Sequence, residues 1–520
     1  MRTRIIAMLL VLCMVVVSFA ACGGGDNADV TKAPTGNTDN TGNNDNTNKW
    51  EGVDFDGETI IISLSNYEPT VVKSAGATNS IKYIKGPDAY TTDSVQNAVF
   101  DRNKKVTDEL DITVMYQECD QYSSNPDNTL VVIENFVLAD LEDSPDIVET
   151  MSFGMVRAGI KGLLYNALTK DHKNYLDLTT NGWYSDYMYE NTLDESKVFM
   201  LAGDYFIDVL RYSFGVLVNL DMYEDVFASE GGTASLFELI EAGDWTYDEM
   251  ARCIQLAYVD SGTIGKIDDA DTFGAVNDRW WLIRSAFANS GLDMYETTAD
   301  GKLQYVQDIS ALHDFTDDMI NFTSTEGFYL ETFDGSVNYN HTSIFIEGKA
   351  LFSFDAPVLV MEGTLLQNMD SKAGIIPFPK YNKEDDYGAL VSDNGNVGGI
   401  LYSSDKFTEC SAFLQKMAEE SNNGKGSLIY EYYDVALKYK LSNTPEQVAM
   451  LEFIRVGICS PMAILYDNYF ARSLSMDMST SHIENSIVAG TNIFASSWES
   501  QYDAFQGLLE STLATYGQQD

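Results

Sequence analysis

Residues 94–114, SVQNAVFDRNKKVTDELDITV, carry a helical pattern that runs directly into a strand pattern. The apolar side chains of the first part recur at helical spacing, at Val95, Ala98, Val99, Val106 and Leu110. That spacing predicts a helix over 94–110 with one apolar face. Residues 111–116 are β-rich and predict a strand immediately after the helix. A helix that leads straight into a strand is typical of α/β folds.

The same alternation extends on both sides of this stretch. Residues 59–64 (TIIISL) predict a strand, residues 128–141 a helix and residues 146–149 a third strand. This order predicts a parallel sheet with helices on its faces, and ligands meet such sheets at the carboxyl ends of the strands. The candidate ligand-binding residues at these predicted ends are Asn66, Tyr67 and Ser152.

Later segments continue the α/β pattern. Residues 197–201 and 211–219 predict strands, and residues 373–376 predict a strand that Pro377 stops. About 470 residues follow the N-terminal region, which is too many for one simple core. The sequence therefore predicts two lobes.

The N-terminal region has a composition of its own. Two arginines precede the apolar run 5–17, and two alanines precede Cys22, an order that predicts a signal peptide over 1–21. The cysteine after small residues resembles the lipobox of bacterial lipoproteins, although Phe19 stands where an aliphatic residue is usual. That resemblance implies cleavage before Cys22 and acylation of its thiol, for example with palmitate. An ordinary secretory signal with an incidental cysteine is the alternative.

Residues 22–49 are rich in Gly, Asn and Thr and contain few apolar side chains. Such a segment cannot bury enough apolar surface to fold, so it predicts a flexible tether. Two acyl chains give stable membrane anchoring. The expected location is the extracellular face of the cytoplasmic membrane, with the protein anchored by lipid.

Charge and motifs narrow the classes of function. The chain has a formal net charge of −47, which argues against nucleic acid as a partner because binding it requires clustered Lys and Arg. The four histidines lie in no nucleophile or metal motif, and residues 260–271 (DSGTIGKIDDAD) resemble an EF-hand loop that lacks two oxygen ligands. We therefore predict no catalytic residue, no metal and no cofactor.

The body of the chain contains four cysteines. They could form two disulfides or remain as buried thiols, at Cys119, Cys253, Cys410 and Cys459.

Several longer segments together resemble one protein family. They are FGVLVNLDMYEDV (214–226), LFELIEAGDWTYDEMARCIQLA (236–257), FIEGKALFSFDAP (345–357), AGIIPFPKYNKED (373–385) and YEYYDVALKYKLSNTPEQVAMLEFI (430–454). Their order resembles the family 1 extracellular solute-binding proteins, the maltose-binding-protein-like lipoprotein receptors of carbohydrate ABC importers. The resemblance implies a periplasmic-binding-protein-like fold, in which two α/β lobes close on a solute about a hinge. It places lobe one at 55–208 with 372–420, and lobe two at 209–371 with 421–515.

Further candidate ligand-binding residues follow from this resemblance. Sugars are held by aromatic faces and by planar polar side chains. The family has aromatic ligand contacts in the loop that matches Trp280 and Trp281, although at least one of the two rings is expected to pack in the core. Asp355 stands where the family often has a cleft aromatic residue, and Tyr205 lies at the expected crossing between lobes. Tyr433 fits core or cleft equally well.

The sequence thus predicts a lipid-anchored, monomeric receptor rather than an enzyme. It would bind a sugar or oligosaccharide in the cleft and deliver it to the permease subunits of an ABC transporter. The alternative is a surface glycoside hydrolase or esterase, and signalling to a membrane sensor is a further option. The identity of the sugar, and whether the solute is a sugar at all, stay open.

Overall fold

Two β-sheets organise the computed structural model of the chain. The residues that the structure describes are 49–139, 143–265, 267–268, 270–299, 301–331, 341–437 and 444–518. The predicted signal peptide, Cys22 and nearly all of the predicted tether lie outside this range. Residues 54–520 form one compact unit.

The strands of the described part are short and mostly buried. Their bounds are β1 Glu58–Ser65, β2 Ile112–Cys119, β3 Ile147–Met151, β4 Phe214–Asn219, β5 Phe273–Asp278, β6 Tyr295–Thr297, β7 Leu303–Tyr305, β8 Phe328–Glu331, β9 Ala350–Pro357, β10 Ala373–Ile376, β11 Ala389–Leu390, β12 Asn396–Ile400 and β13 Ile458–Cys459.

Helices connect and cover these strands. The α-helices are Thr70–Ala75, Ser94–Leu110, Pro126–Leu138, Ser152–Ile160, Ser185–Glu190, Asp208–Arg211, Leu220–Val226, Thr233–Glu241, Tyr247–Ala257, Arg279–Asn289, Ser310–Thr323, His341–Ile346, Phe407–Ser421, Pro445–Val456, Met462–Leu474, Ser479–Ala489, Phe494–Glu499 and Tyr502–Thr515. Short 3-10 helices span Ser80–Tyr83, Ala228–Glu230, Val358–Glu362 and Leu366–Asn368, and a π-helix spans Tyr430–Leu437.

The first sheet has the order β12-β3-β1-β2, and we call the part of the molecule built on it lobe one. β1 pairs in parallel with β2 and β3, as the alternating pattern predicts, and β12 joins antiparallel to β3. The predicted helix is confirmed over Ser94–Leu110. The Asp93 carboxylate caps it by accepting from the backbone N–H groups of Val95 and Gln96.

The second sheet has the order β10-β4-β9-β5-β8, and the part built on it is lobe two. β5 is parallel to β8 and β9, whereas β4 is antiparallel to its two neighbours. β5 ends where the helix Arg279–Asn289 begins. Two tryptophans therefore sit at the carboxyl end of a strand, the edge at which ligands meet parallel sheets.

Two segments differ from the sequence-based expectation. Residues 197–201 form no strand, because Leu201 makes a single isolated bridge with Gly398 and no ladder continues from it. The predicted strand at 373–376 is present as β10, but it pairs with β4 in the second sheet. The predicted boundary at residue 372 placed β10 in lobe one, whereas its pairing with β4 places it in lobe two. The chain therefore returns to lobe one after β10.

The last helices contact both lobes. The helix Met462–Leu474 packs on Ser152–Ile160 of lobe one, and the helix Ser479–Ala489 packs on Arg279–Asn289 of lobe two. The predicted assignment of 421–515 to lobe two alone therefore does not describe this packing. Among the helices of the described residues, none is both long and apolar enough to cross a membrane.

Candidate functional site

A polar group from lobe one lies at the ends of β3 and β12. Ser152 follows β3 directly and begins a helix, and its hydroxyl donates to the backbone carbonyl of Asp393 at 3.1 Å. The backbone N–H of Ser152 donates to the carbonyl of Gly395 at 3.0 Å. These bonds hold the loop before β12 against the start of the helix, so the position of Asp393 is fixed by β3.

Two aromatic rings approach from lobe two. The Trp281 ring stacks on Phe214 of β4, with ring centroids 4.7 Å apart and an angle of 29° between the planes. Trp280 is 38% exposed. One ring of the pair therefore packs within lobe two, and the other is partly exposed.

Arg284 joins these two groups. It lies one helical turn after Trp280 and Trp281, and its guanidinium carbon lies 5.2 Å and 5.7 Å from their ring centroids. Its Nε donates to Glu484 Oε1 at 3.1 Å, which orients the guanidinium. Its Nη1 lies 3.9 Å from Asp393 Oδ2. An arginine of lobe two thus faces an aspartate carried by the lobe-one loop.

The charges at this point are nearly enclosed. The side chains of Arg284 and Asp393 are 9% and 8% exposed. Burial raises the pKa of Asp393 to about 6, and the neighbouring Arg284 limits that rise. Asp393 is therefore mostly ionised at neutral pH. With Glu484, the group has two carboxylates and one guanidinium.

Ser152, Trp280 and Trp281, three of the predicted site residues, thus lie around the Asp393–Arg284 pair. The name central cluster is used below for Ser152, Trp280, Trp281, Arg284, Asp393 and Glu484. The last three are not among the residues predicted from the sequence. The spacing of Arg284 from Trp280 is a local signal for its place beside that ring, whereas nothing local to Asp393 indicates its position.

Tyr205 and Tyr433 lie outside the central cluster. The Tyr205 side chain has no exposed surface, and its hydroxyl donates to the carbonyl of Leu201 at 2.8 Å. A Cβ at Gly398 would collide with that hydroxyl, so β12 passes too close for a solute to enter. Tyr433 is buried beside Arg455, whose guanidinium carbon lies 5.9 Å from the ring centroid. In this conformation both rings belong to the packed crossing region.

The remaining predicted residues are more peripheral. Asn66 is exposed after β1, and its side-chain amide donates to Asp120 at 2.6 Å. Tyr67 is half-buried. Asp355 lies in β9, and its side chain falls outside the described part of the structure.

The EF-hand-like loop uses its carboxylates internally. Asp268 accepts from the backbone N–H groups of Thr263 and Ala270, and Asp271 accepts from those of Ser261 and Asp268. Lys266 and Asp269 are not described. Across the described ranges, no three His, Cys, Asp or Glu side chains form a group that could hold a metal ion. The four cysteines of the body are present as thiols, with no disulfide in the described part.

A cavity of about 150 Å³ lies away from the central cluster. Its lining includes Val71 and Ala75 of lobe one, and Leu217 and Phe345 of lobe two. The lining is mainly apolar, and none of its residues is a predicted site residue. It is too small for an oligosaccharide.

Comparison with known proteins supports the fold. No family model and no curated protein matches the chain. The galacto-N-biose-/lacto-N-biose I-binding protein of an ABC transporter from Bifidobacterium longum, solved with lacto-N-biose, has a TM-score of 0.51 and 12% identity. The match covers 89% of this chain and 99% of that one. A designed esterase has a TM-score of 0.51 and 11% identity. The match covers 87% of this chain and 99% of that one.

A family 1 extracellular solute-binding protein from Alicyclobacillus acidocaldarius has a TM-score of 0.48 and 9% identity. The match covers 87% of this chain and 99% of that one. The chain has the two-lobed fold of the solute-binding protein from Bifidobacterium longum. The fold class and the resemblance on which it was based are confirmed at this level.

Proposed function

We propose that this protein is a family 1 extracellular solute-binding protein that binds a sugar or oligosaccharide between its lobes. The observation that supports it is the central cluster. Ser152 and Asp393 come from lobe one, and Trp280, Trp281 and Arg284 come from lobe two. A solute held there contacts both lobes, so binding favours the closed arrangement of a hinged receptor.

The chemistry of the cluster suits a polyhydroxylated solute. Trp280 offers an aromatic face for the C–H side of a sugar ring, and the charged side chains supply fixed donors and acceptors for hydroxyls. The Bifidobacterium protein of similar fold holds lacto-N-biose. That precedent makes a disaccharide a reasonable first probe.

Delivery to a membrane transporter completes the proposal. A thiol acylated at Cys22 would anchor the chain at the extracellular face of the cytoplasmic membrane. The Gly/Asn/Thr-rich residues 22–49 would let the monomeric receptor reach the permease subunits of an ABC importer. The receptor binds and releases its solute without chemical change.

Calorimetric titration of the detergent-purified full chain tests this function. The panel contains glucose, galactose, maltose, raffinose and lacto-N-biose, and each sugar is recovered and checked for cleavage. We expect one-to-one binding of at least one sugar, recovered intact. Recovery of cleaved sugar would contradict the receptor function and favour the glycoside hydrolase alternative. A panel without any binding would refute a sugar receptor.

The variant Trp280→Ala places the site within the chain. Loss of a stacking face is expected to weaken binding roughly 2- to 12-fold, since such contacts contribute about 0.5–1.5 kcal/mol beyond the area that they bury. Tyr90→Ala is the matched control, because Tyr90 is 66% exposed and lies outside the cluster. If the Trp280 variant and the wild type bind the sugar with equal affinity, the Trp280 ring is not part of the binding site.

A further inference from the structure

One segment of lobe one reaches across to lobe two. Residues 66–93 connect β1 to the helix Ser94–Leu110, so both ends of the segment belong to lobe one. Its middle part, residues 70–83, contains the helices Thr70–Ala75 and Ser80–Tyr83, and we call it the strap. The strap packs on the segment that follows β9. Because β1 and β9 lie beside β3 and β5 and run parallel to them, the strap crosses between the lobes one strand to the side of the central cluster.

The end of the first strap helix is bonded to lobe two through the backbone. The buried carbonyl of Ala75 accepts from the backbone N–H groups of Thr364, at 2.9 Å, and Leu365, at 3.2 Å. A Cβ at Gly363 would lie 1.8 Å from the same carbonyl oxygen, so a side chain at this position would exclude the approach. The strap therefore docks on the turn 363–365 through closely fitted backbone atoms.

Side chains hold the second half of the strap. Glu362 Oε2 accepts from the hydroxyl of Tyr83 at 3.2 Å and from the backbone N–H of Thr78 at 3.4 Å. Arg211, on the short helix that leads to β4, donates to the carbonyl of Thr78 at 2.5 Å. Arg102 of lobe one donates to the carbonyl of Tyr83 at 3.0 Å, which fixes the end of the strap to its own lobe.

The packing beneath the first strap helix is incomplete. The cavity of about 150 Å³ lies there, between Val71 and Ala75 of the strap and Leu217 and Phe345 of lobe two. Side chains that line a void make fewer dispersion contacts than those of a filled interface. The hold of the strap on lobe two therefore depends strongly on its hydrogen bonds to residues 362–365.

From these contacts we infer that the strap is a latch between the lobes. It holds them in the arrangement seen here before any solute binds, and its release accompanies opening. A hinge motion that separates the lobes must part the strap from the turn 363–365, because both strap ends are fixed in lobe one and the turn belongs to lobe two. The inference goes beyond the proposed function, since it depends on the fold and on no particular solute.

The variant Gly363→Ala tests the latch on the detergent-purified full chain without any sugar. The added Cβ displaces the Ala75 carbonyl, so amide hydrogen exchange at Thr364 and Leu365 should become at least tenfold faster, with exchange in β1 unchanged. Small-angle neutron scattering at the contrast match of the detergent should give a larger radius of gyration. Gly507→Ala is the matched control, because a Cβ there meets nothing within 4 Å. Wild-type exchange or a wild-type radius in the Gly363 variant would overturn the inference.

The variant Val71→Ile tests the latch in the opposite direction. The extra methyl group fills part of the cavity and leaves the hydrogen bonds intact. Exchange at Thr364 and Leu365 should slow about fourfold, the effect of one buried methyl group. Val131→Ile, at a position that is 52% exposed, is the control. Unchanged or faster exchange in the Val71 variant would refute a latch closed over this cavity, and this variant decides the question if Gly363→Ala does not fold.

Discussion

At the scale of single residues, Asp467 shows how burial sets a charge. It lies on Met462–Leu474 with no exposed surface. Its carboxylate accepts from the hydroxyls of Tyr305, at 2.7 Å, and of Tyr295 and Ser479. Burial raises the pKa of Asp467 to about 6, and these three hydroxyl donors limit the rise.

The raised pKa of Asp467 predicts a pH-dependent stability. Between about pH 4 and pH 6 this group is protonated in the folded state and ionised in the unfolded state, so the free energy of unfolding falls as pH rises. The fall amounts to about 3 kcal/mol at most, from two pKa units. Asp467→Asn should lose this part of the slope, as measured by urea unfolding at pH 4.5, 5.5, 6.5 and 7.5. A constant offset from wild type across that range would contradict the assignment, and Asp101→Asn serves as the control.

In the candidate site, some residues can be predicted from the sequence and others cannot. Trp280 was predictable because it is a large aromatic residue beside polar ones at the start of a helix. Asp393 was not, because an acidic residue in a loop of an acidic chain carries no distinguishing signal. Its place in the central cluster comes from Arg284, more than 100 positions away in sequence, which folding brings to 3.9 Å from its carboxylate.

At the scale of elements, the short helix Asp208–Arg211 carries the first crossing between the lobes. Arg211 donates from Nε to Glu362 at 2.6 Å and from Nη1 to Asp208 at 2.7 Å, and both acids are nearly inaccessible. Glu362 also accepts from Tyr83 at 3.2 Å and from Tyr432 at 2.5 Å. The helix thus connects lobe one to the segment that follows β9.

Removal of the cation from this network should be costly. Arg211→Met leaves Asp208 and Glu362 buried without their counter-ion, and the expected loss is about 3–5 kcal/mol in the free energy of unfolding. Arg252→Met is the matched control, because Arg252 pairs with Glu230 and Glu249 but is 39% exposed. Its loss should stay below about 1 kcal/mol. Urea unfolding curves compare the two, and equal losses would contradict a structural role for the crossing network.

Elements were predicted best where their signals are local. The helix Ser94–Leu110 was placed correctly because its cap and apolar face lie within the segment. Residues 197–201 were mistaken for a strand because their apolar character reflects burial, whereas a strand needs a partner ladder. Only Leu201 found such a partner, in Gly398.

At the scale of the whole molecule, the C-terminal helices tie the two lobes together. Asn468 accepts from Arg157 of lobe one at 2.8 Å, and Arg472 donates to Asp127 of lobe one at 2.7 Å. The neighbouring Asp467 is bonded to Tyr305 of lobe two. The helix Met462–Leu474 is therefore held by both lobes, so relative motion of the lobes must strain one set of these contacts.

Weakening the lobe-one contacts should shift the balance of the hinge. The double substitution Asn468→Ala/Arg472→Ala leaves the Asp467 contacts intact, and we expect a larger radius of gyration in the absence of sugar by small-angle scattering. Lys104→Ala/Asp108→Ala removes an exposed pair on Ser94–Leu110 and serves as control. An unchanged radius in the C-terminal double variant would show that these helices do not restrain the lobes.

The sequence by itself determined the α/β class, the parallel pairing of β1 with β2 and β3, and the aromatic start of Arg279–Asn289. These properties follow from periodicity and capping within short segments. Tertiary structure alone decided the sheet to which β10 belongs, the burial of Tyr205 and the pairing of Asp393 with Arg284. The physical reason is that each depends on contacts between residues distant in the chain, where burial and charge are set by neighbours that no local pattern encodes.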